Sequence, residues 1–156
     1  MGLSMQRGLV LAEDTENGRK LLAEAAATAR GSECGLVVLS IIRPESFAAD
    51  VETLEAMGDV EDAHYDESNV LDAERNAVQS FVDAAINSED VEIAYRVSVA
   101  SNDDNVDTVL QTARETACDH LFVSGSQRSP TGKAIFGDRT QQLLLEFPGA
   151  VTVDLN

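Results

Sequence analysis

The residues with the clearest chemical potential lie in one stretch, His120 to Gln142, which reads HLFVSGSQRSPTGKAIFGDRTQQ. It begins as an apolar strand, continues as a polar loop with glycine, and then enters a helix. A helix start leaves backbone N–H groups unpaired, and glycine lets an anion approach them closely. The stretch also holds three of the eleven basic residues, Arg128, Lys133 and Arg139. This combination indicates a phosphate site, although an ordinary strand-to-helix loop with solvated cations explains it equally well.

The elements that must position this stretch alternate between strands and helices. Apolar runs predict strands over Arg7 to Ala12, Leu36 to Ile42, Val91 to Val99, His120 to Val123 and Val151 to Leu155. Helical spacing of apolar residues predicts helices over Asn17 to Arg30, Asn69 to Asn87, Val106 to Ala117 and Asp138 to Glu146. The acidic segment 45–68 is predicted to be an irregular, weakly helical connection within a single domain, 1–156.

Alternating strands and helices of this kind form an α/β fold, with a parallel sheet and helices on both of its faces. Ligands of such sheets bind beyond the carboxyl ends of the strands. The loop that follows His120 to Val123 lies at that edge, and so does the pair Glu13 and Asp14 after the first strand. Both features therefore lie at the edge where ligands of such sheets bind.

The charge of the chain excludes several classes of partner. Twenty-eight acidic residues against eleven basic ones give a net charge of -17 and an isoelectric point near 4.2. Repulsion of this size argues against nucleic acids and anionic membranes as partners. A diffuse acidic surface is typical of a protein that works in concentrated salt, where repulsion is screened. Neither a signal peptide nor an apolar run of about 18 residues is present, so we expect a cytoplasmic, halophile-type protein.

The cysteines and histidines do not indicate a metal centre. Cys34 and Cys118 flank apolar strands, which predicts buried, reduced thiols rather than a disulfide. His64 and His120 have no ligand-like spacing to each other or to the cysteines. The sequence therefore predicts no bound metal.

Known catalytic motifs are absent as well. A P-loop is not indicated because Gly125 lies too far from Gly132 and Lys133. A phospho-receiver domain is not indicated either, because that fold needs a lysine near the end of the last strand and the lysines of this chain are Lys20 and Lys133. Neither a Ser/His/Asp set nor a Cys/His pair is indicated. Glu13 and Asp14 are interpreted as a helix-capping start rather than an acid/base pair. We predict no catalytic residues and no enzyme activity beyond, at most, slow ATP hydrolysis.

With these residues placed, the chain resembles the universal stress protein family over nearly its whole length. The segments that carry the resemblance are VLAEDTENGRKLL, VVLSII, DHLFVSGSQRSPTGKAIFGDRTQQLLL and VTVDL. The resemblance implies a five-stranded parallel sheet of order 3-2-1-4-5, the adenine nucleotide alpha hydrolase-like fold. It also implies a stress-response binding module that forms dimers.

Many members of that family bind ATP through a loop of pattern G-x2-G-x9-G-[ST]. Matched to this sequence, the pattern falls on Ser124, Gln127, Gly137 and Asp138, and a shift to Gly125 leaves the spacing one residue short. The resemblance further aligns Glu13 with the acidic residue near the nucleoside and Ile41 with an apolar contact. The implied ATP or AMP site comprises Ala12, Glu13, Ile41, Ser124, Gly125, Gln127, Arg128, Gly132, Lys133, Gly137, Asp138 and Arg139.

The departures from the family pattern have physical consequences. Gln127 places a side chain where glycine would let backbone amides contact a phosphate. Asp138 adds repulsion where the family has a hydroxyl donor, although aspartate also suits a helix start. Arg128 and Lys133 compensate by offering charge-assisted contacts.

Two functions remain open at this point. The first is a binding module for ATP or AMP whose occupancy alters the binding of an unknown protein partner. The second is an interaction protein without a nucleotide, which works as a homodimer through the last strand at Val151, Thr152 and Val153. That strand is short and alternating, so an exposed edge would pair with its twin across a two-fold axis.

Overall fold

The computed structural model describes residues 5–61, 65–87, 89–125 and 137–155. The strands are β1 (Arg7–Leu11), β2 (Gly35–Ile42), β3 (Ile93–Val99), β4 (His120–Ser124) and β5 (Ala150–Asp154). The helices are α1 (Glu16–Ser32), α2 (Pro44–Glu61), α3 (Glu67–Ala85), α4 (Asn105–Glu115) and α5 (Asp138–Glu146). None of the helices in these ranges is long and apolar enough to cross a membrane.

The five strands form one parallel sheet in the order β3-β2-β1-β4-β5, which confirms the predicted architecture. The central strands are nearly continuous aliphatic runs because both of their faces are covered by helices. In β1, for example, Leu9 and Val10 point to opposite faces, and both are fully buried. The carboxyl ends of all five strands therefore meet at one edge.

Two apolar clusters hold helices against the sheet. On the first face, α1 and α3 pack on Val10, Val38 and Phe122, and we call these two helices the first layer. On the second face, α4 and α5 pack on Leu9 and Leu39, and we call them the second layer. Neighbouring residues of one strand thus face different layers, so the position of a residue in its strand decides which helices its side chain contacts.

The segment 45–68 differs from our prediction of an irregular connection. Most of it is helical, because α2 begins at Pro44 and α3 at Glu67. Proline is well suited to the first helical position, and Pro44 is the first residue of α2. The same proline follows closely after the end of β2 at Ile42. The partly buried residues Phe47, Val51 and Leu54 have helical spacing, but the surrounding acidic and alanine residues weaken the pattern.

Two smaller expectations also need correction. We predicted that the first helix ends at Arg30, but α1 continues to Ser32 and Glu33 takes the left-handed conformation, with a φ of 54°. Cys34 and Cys118 are free thiols, as predicted, but they are only partly buried. Burial raises the pKa of both thiols.

Candidate functional site

The loop after β1 forms one side of the candidate site. The Ala12 backbone N–H donates to the Leu39 carbonyl at 2.8 Å, which fixes the start of the loop against β2. The helix cap is Thr15, whose hydroxyl accepts from the Gly18 N–H at 2.9 Å. Our interpretation of Glu13 and Asp14 as capping residues is therefore wrong, and the Glu13 side chain is available for another contact.

Gly18 determines how closely this loop can approach α1. A Cβ atom at Gly18 would collide with the Glu13 carbonyl oxygen, so glycine is required for the observed backbone path. Gly18 is buried, and Glu13 is partly exposed at the carboxyl edge of the sheet. The tight contact places Glu13 at the mouth of the candidate site.

The end of β4 forms the second side. Gly125 donates its N–H to the Asp154 carbonyl at 2.8 Å, which continues the pairing of β4 with β5. A Cβ atom at Gly125 would lie 2.6 Å from Leu155 Cδ2 and 2.8 Å from Val153 Cγ1, so a larger residue would have to displace these two side chains. The Thr140 hydroxyl donates to the Ser124 carbonyl at 3.2 Å and thereby fixes α5 to the end of β4.

The first turn of α5 forms the third side. Gly137 is the N-cap and Asp138 is the first helical residue. Among the residues that the structure describes, no side chain caps this helix start, so Asp138 does not replace the missing hydroxyl of the family pattern as a cap. Free N–H groups at a helix start favour an anion, whereas the exposed Asp138 carboxylate opposes one.

One ion pair joins the first and third sides. Arg139 Nη2 lies 3.3 Å from Glu13 Oε1, and the two side chains are 40% and 34% exposed. The guanidinium therefore lies at the mouth and neutralises a carboxylate that would otherwise repel an anion. The arginine also retains donors beyond the one used here.

The floor of the site comes from β2 and α4. Ile41 packs against the second layer, on the face that also carries Val106 and Val109 at the start of α4. Two buried polar atoms in the described residues lack a hydrogen-bond partner, Asn105 Oδ1 in α4 and Ser124 Oγ in β4. Both residues lie at the carboxyl edge of the sheet, because α4 follows β3 and Ser124 ends β4.

The described residues of the predicted site lie along one edge of the fold. Ala12 and Glu13 follow β1, Ile41 lies near the end of β2, Ser124 and Gly125 end β4, and Gly137, Asp138 and Arg139 start α5. The remaining predicted residues, Gln127, Arg128, Gly132 and Lys133, lie outside the described residues. Direct contact within this set is seen between Glu13 and Arg139.

Sequence reasoning missed Thr140 and Asn105 as parts of this edge. Thr140 is 4% exposed and Asn105 is 8% exposed, which is unusual for polar residues. Thr140 lies three residues after Gly137, the aligned third glycine, so its place in the first turn of α5 was the available signal. Asn105 has no comparable signal, because its burial depends on how α4 packs on the sheet.

The chain is similar to known proteins in sequence and in structure. The family model described as "Universal stress protein family" matches residues 5–154. No curated protein sequence matches the chain. Among solved structures, a universal stress protein from Archaeoglobus fulgidus is similar, with 18% identity and a TM-score of 0.63 over 96% of this chain and 97% of that one.

Two further similar structures were solved with bound nucleotides. A universal stress protein in complex with cAMP has 15% identity and a TM-score of 0.58, over 96% of both chains. The universal stress protein from Archaeoglobus fulgidus in complex with dAMP has 15% identity and a TM-score of 0.57, also over 96% of both chains. At these identities the structural likeness establishes the fold.

Proposed function

The chain belongs to the universal stress protein family, and on that premise we propose that it is a stress-response module that binds an adenine nucleotide. The ligand is AMP or ATP, and the site is the carboxyl edge of β1, β2 and β4 together with the start of α5. Its occupancy alters the binding of a protein partner. Nucleotides in two similar structures, cAMP and dAMP, support the choice of an adenine ligand.

The observation that carries this proposal is the contact between Glu13 and Arg139 at 3.3 Å. It places a neutralised carboxylate and an arginine at the helix start, where a phosphate is favoured. In the proposed complex, the sugar and base lie over Glu13 and Ile41. The phosphates lie near Gly137 and Arg139 and receive further charge from Arg128 and Lys133, which are outside the described residues.

Titration calorimetry with AMP and ATP in concentrated KCl tests the proposal. We expect saturable heat for at least one nucleotide, and weaker binding for Lys133→Ala. Lys20→Ala is the matched control, because Lys20 is exposed on α1. Nucleotide binding would be rejected if neither AMP nor ATP gave heat on titration and if Lys133→Ala changed no binding signal.

A second candidate function is a homodimer that acts without a nucleotide. β5 is the last strand of the sheet, and β4 is its partner on one side. The N–H of Ala150 and the carbonyl of Asp154 bond toward β4, so the alternating backbone groups of Val151 and Val153 point away from it. An unpaired row of this kind is a template for pairing with a second copy. Light scattering that shows a monomer at micromolar concentration in concentrated KCl would reject this candidate.

We also propose that the protein works in a cytoplasm with a high salt concentration. A net charge of -17 on 156 residues gives strong self-repulsion, which concentrated salt screens. Added KCl should therefore raise the melting temperature. The increase should be smaller in a triple variant, Asp50→Asn, Glu52→Gln and Glu55→Gln, which has fewer charges on α2. A melting temperature that stays constant with KCl would contradict this part of the proposal.

A further inference from the structure

A cavity of about 270 Å³ opens at the carboxyl edge, between the ends of β1 and β2 and the first-layer helix α3. Its polar lining residues are Asp14, Ser40 and Glu74, and its apolar lining includes Val78 and Phe81. Ser40 and Ile41 are neighbours in β2, and their side chains alternate between the two faces. The cavity therefore lies on the opposite face of the sheet from the Ile41 side chain, and it is separate from the proposed nucleotide floor.

Glu74 is held in a fixed position within this cavity. The Ser40 hydroxyl, in a residue only 7% exposed, donates to Glu74 Oε1 at 3.0 Å. A carboxylate accepts several hydrogen bonds, so one donor leaves most of its acceptor capacity unused. Within the part of the chain that the structure describes, no arginine or lysine forms an ion pair with Glu74.

The second carboxylate at the cavity has a different environment. Asp14 Oδ1 lies 3.2 Å from Arg19 Nη1, and the Asp14 side chain is 83% exposed. Asp14 is therefore a solvated residue at the rim, already paired, whereas Glu74 is the partly buried acceptor inside. A ligand that enters the cavity meets Glu74 as its principal charged group.

The remaining walls are apolar and include one aromatic ring. Ala12, Val78 and Phe81 line the cavity together with Glu74. A carboxylate beside an aromatic side chain is the combination that stabilises an ammonium group, through charge-assisted hydrogen bonds and cation–π attraction. The two carboxylates, Asp14 and Glu74, would repel an anion. A neutral hydrogen-bond donor would bind the Glu74 carboxylate less strongly than an ammonium group would. The cavity volume lies just below the usual range for small-molecule sites, which favours a compact ligand.

We propose that this cavity binds a small primary alkylammonium cation. Its –NH3+ group donates to the free oxygen of Glu74, and its short alkyl chain lies against Val78 and Phe81. This site shares Ala12 with the nucleotide site, but its carboxylate and its other walls are different, and it does not depend on a bound nucleotide. Its occupant would stabilise the contact between α3 and the ends of β1 and β2.

The probe for the experiment is n-butylammonium chloride, titrated calorimetrically into the full chain in about 1 M KCl, where diffuse attraction to the acidic surface is screened. We expect saturable binding that is stronger than that of methylammonium, and none for n-butanol. Glu74→Gln should weaken it about tenfold or more, because it removes a charged hydrogen-bond acceptor while an amide oxygen remains for Ser40. Phe81→Leu should weaken it about threefold.

Glu24→Gln is the matched control, since Glu24 is an exposed carboxylate on α1 and its removal changes the net charge equally. Its affinity for n-butylammonium should equal that of the unmodified chain. Three results would overturn the proposal: no saturable binding, equal weakening by Glu74→Gln and Glu24→Gln, or equal affinities for methylammonium and n-butylammonium. The melting temperatures of all variants establish that they are folded. The result with n-butylammonium is independent of the result with AMP, so the two proposals can fail separately.

Discussion

Arg139 Nη2 lies 3.3 Å from Glu13 Oε1, so residues 126 positions apart in the sequence meet where β1 ends and α5 begins. Both side chains are more than one-third exposed, and a pair of this kind contributes only about 0–1 kcal/mol to stability. Its importance is positional. It brings a cation to the helix start and reduces the negative charge at the mouth, which suits a phosphate in a chain with so many acidic residues.

Arg139→Gln therefore has a predicted effect on ligand binding rather than on folding. Removing the guanidinium eliminates a charge-assisted contact and leaves Glu13 unpaired, so the affinity for AMP should fall about tenfold. The affinity for uncharged adenosine should change much less. Calorimetric titration of both ligands gives the comparison, with Arg114→Gln on the exposed surface of α4 as control. Equal losses for AMP and adenosine would contradict a phosphate-facing role for Arg139.

Two glycines of α1 provide a matched test of the loop that carries Glu13. Gly31→Ala should stabilise the protein by about 0.5–1 kcal/mol, because nothing lies within 4 Å of the added Cβ and alanine favours a helix. Gly18→Ala should instead destabilise it by about 1–3 kcal/mol, because its Cβ collides with the Glu13 carbonyl oxygen. Urea denaturation measures both values. Equal stabilisation by the two substitutions would show that the loop can move without cost.

The predicted pH dependence of stability involves His120. Its Nε2 lies 2.7 Å from the Thr152 hydroxyl, and its ring stacks on Phe122 at a centroid distance of 4.4 Å. Burial lowers the pKa of His120 below its ordinary value of 6.5, although nearby Asp119 opposes the shift. The unfolded chain therefore binds a proton at a higher pH than the folded protein does. The contribution of His120 to stability is present above 6.5 and is lost as the pH falls toward the lower folded-state pKa.

His120→Gln provides the measurement for this effect. The free energy of unfolding in urea should fall between about pH 7.5 and about pH 5.5 in the unmodified chain, and it should fall less in the variant. His64 is common to both proteins, so its contribution cancels in the difference. Identical pH dependence of the two proteins would refute the assignment to His120.

Proline at the sheet edge tests the dimer. The N–H of Val151 points away from β4, so Val151→Pro should remove an intermolecular donor while the bonds between β4 and β5 remain. We expect sedimentation to show a shift from dimer to monomer with a retained fold. Thr152→Pro is the comparison, because it breaks the pairing with β4 and should lower the melting temperature much more. A Val151→Pro protein that stays dimeric would place the interface elsewhere.

The sequence predicted the sheet well because its strands are uniform. β2 is aliphatic at nearly every position, and only a strand covered on both faces accommodates that pattern. The segment that contains α2 was predicted to be only weakly helical because this helix buries few side chains, so its composition carries little periodic signal. The contact between Glu13 and Arg139 was not predictable as a contact, although both residues were named for the site. It depends on strand order and on the direction of α5, which local patterns do not specify.

The close approach of Glu13 to Gly18 makes the β1–α1 loop and the helix one mechanical unit. α1 has 17 residues and is therefore about 25 Å long. It ends at Ser32, and near that end the guanidinium of Arg30 binds Asp90 at 2.9 Å in the turn before β3. The loop that carries Glu13 and the turn that contains Asp90 are thus both attached to α1, at its opposite ends. We expect a ligand that displaces Glu13 to change the amide exchange of the turn that contains Asp90.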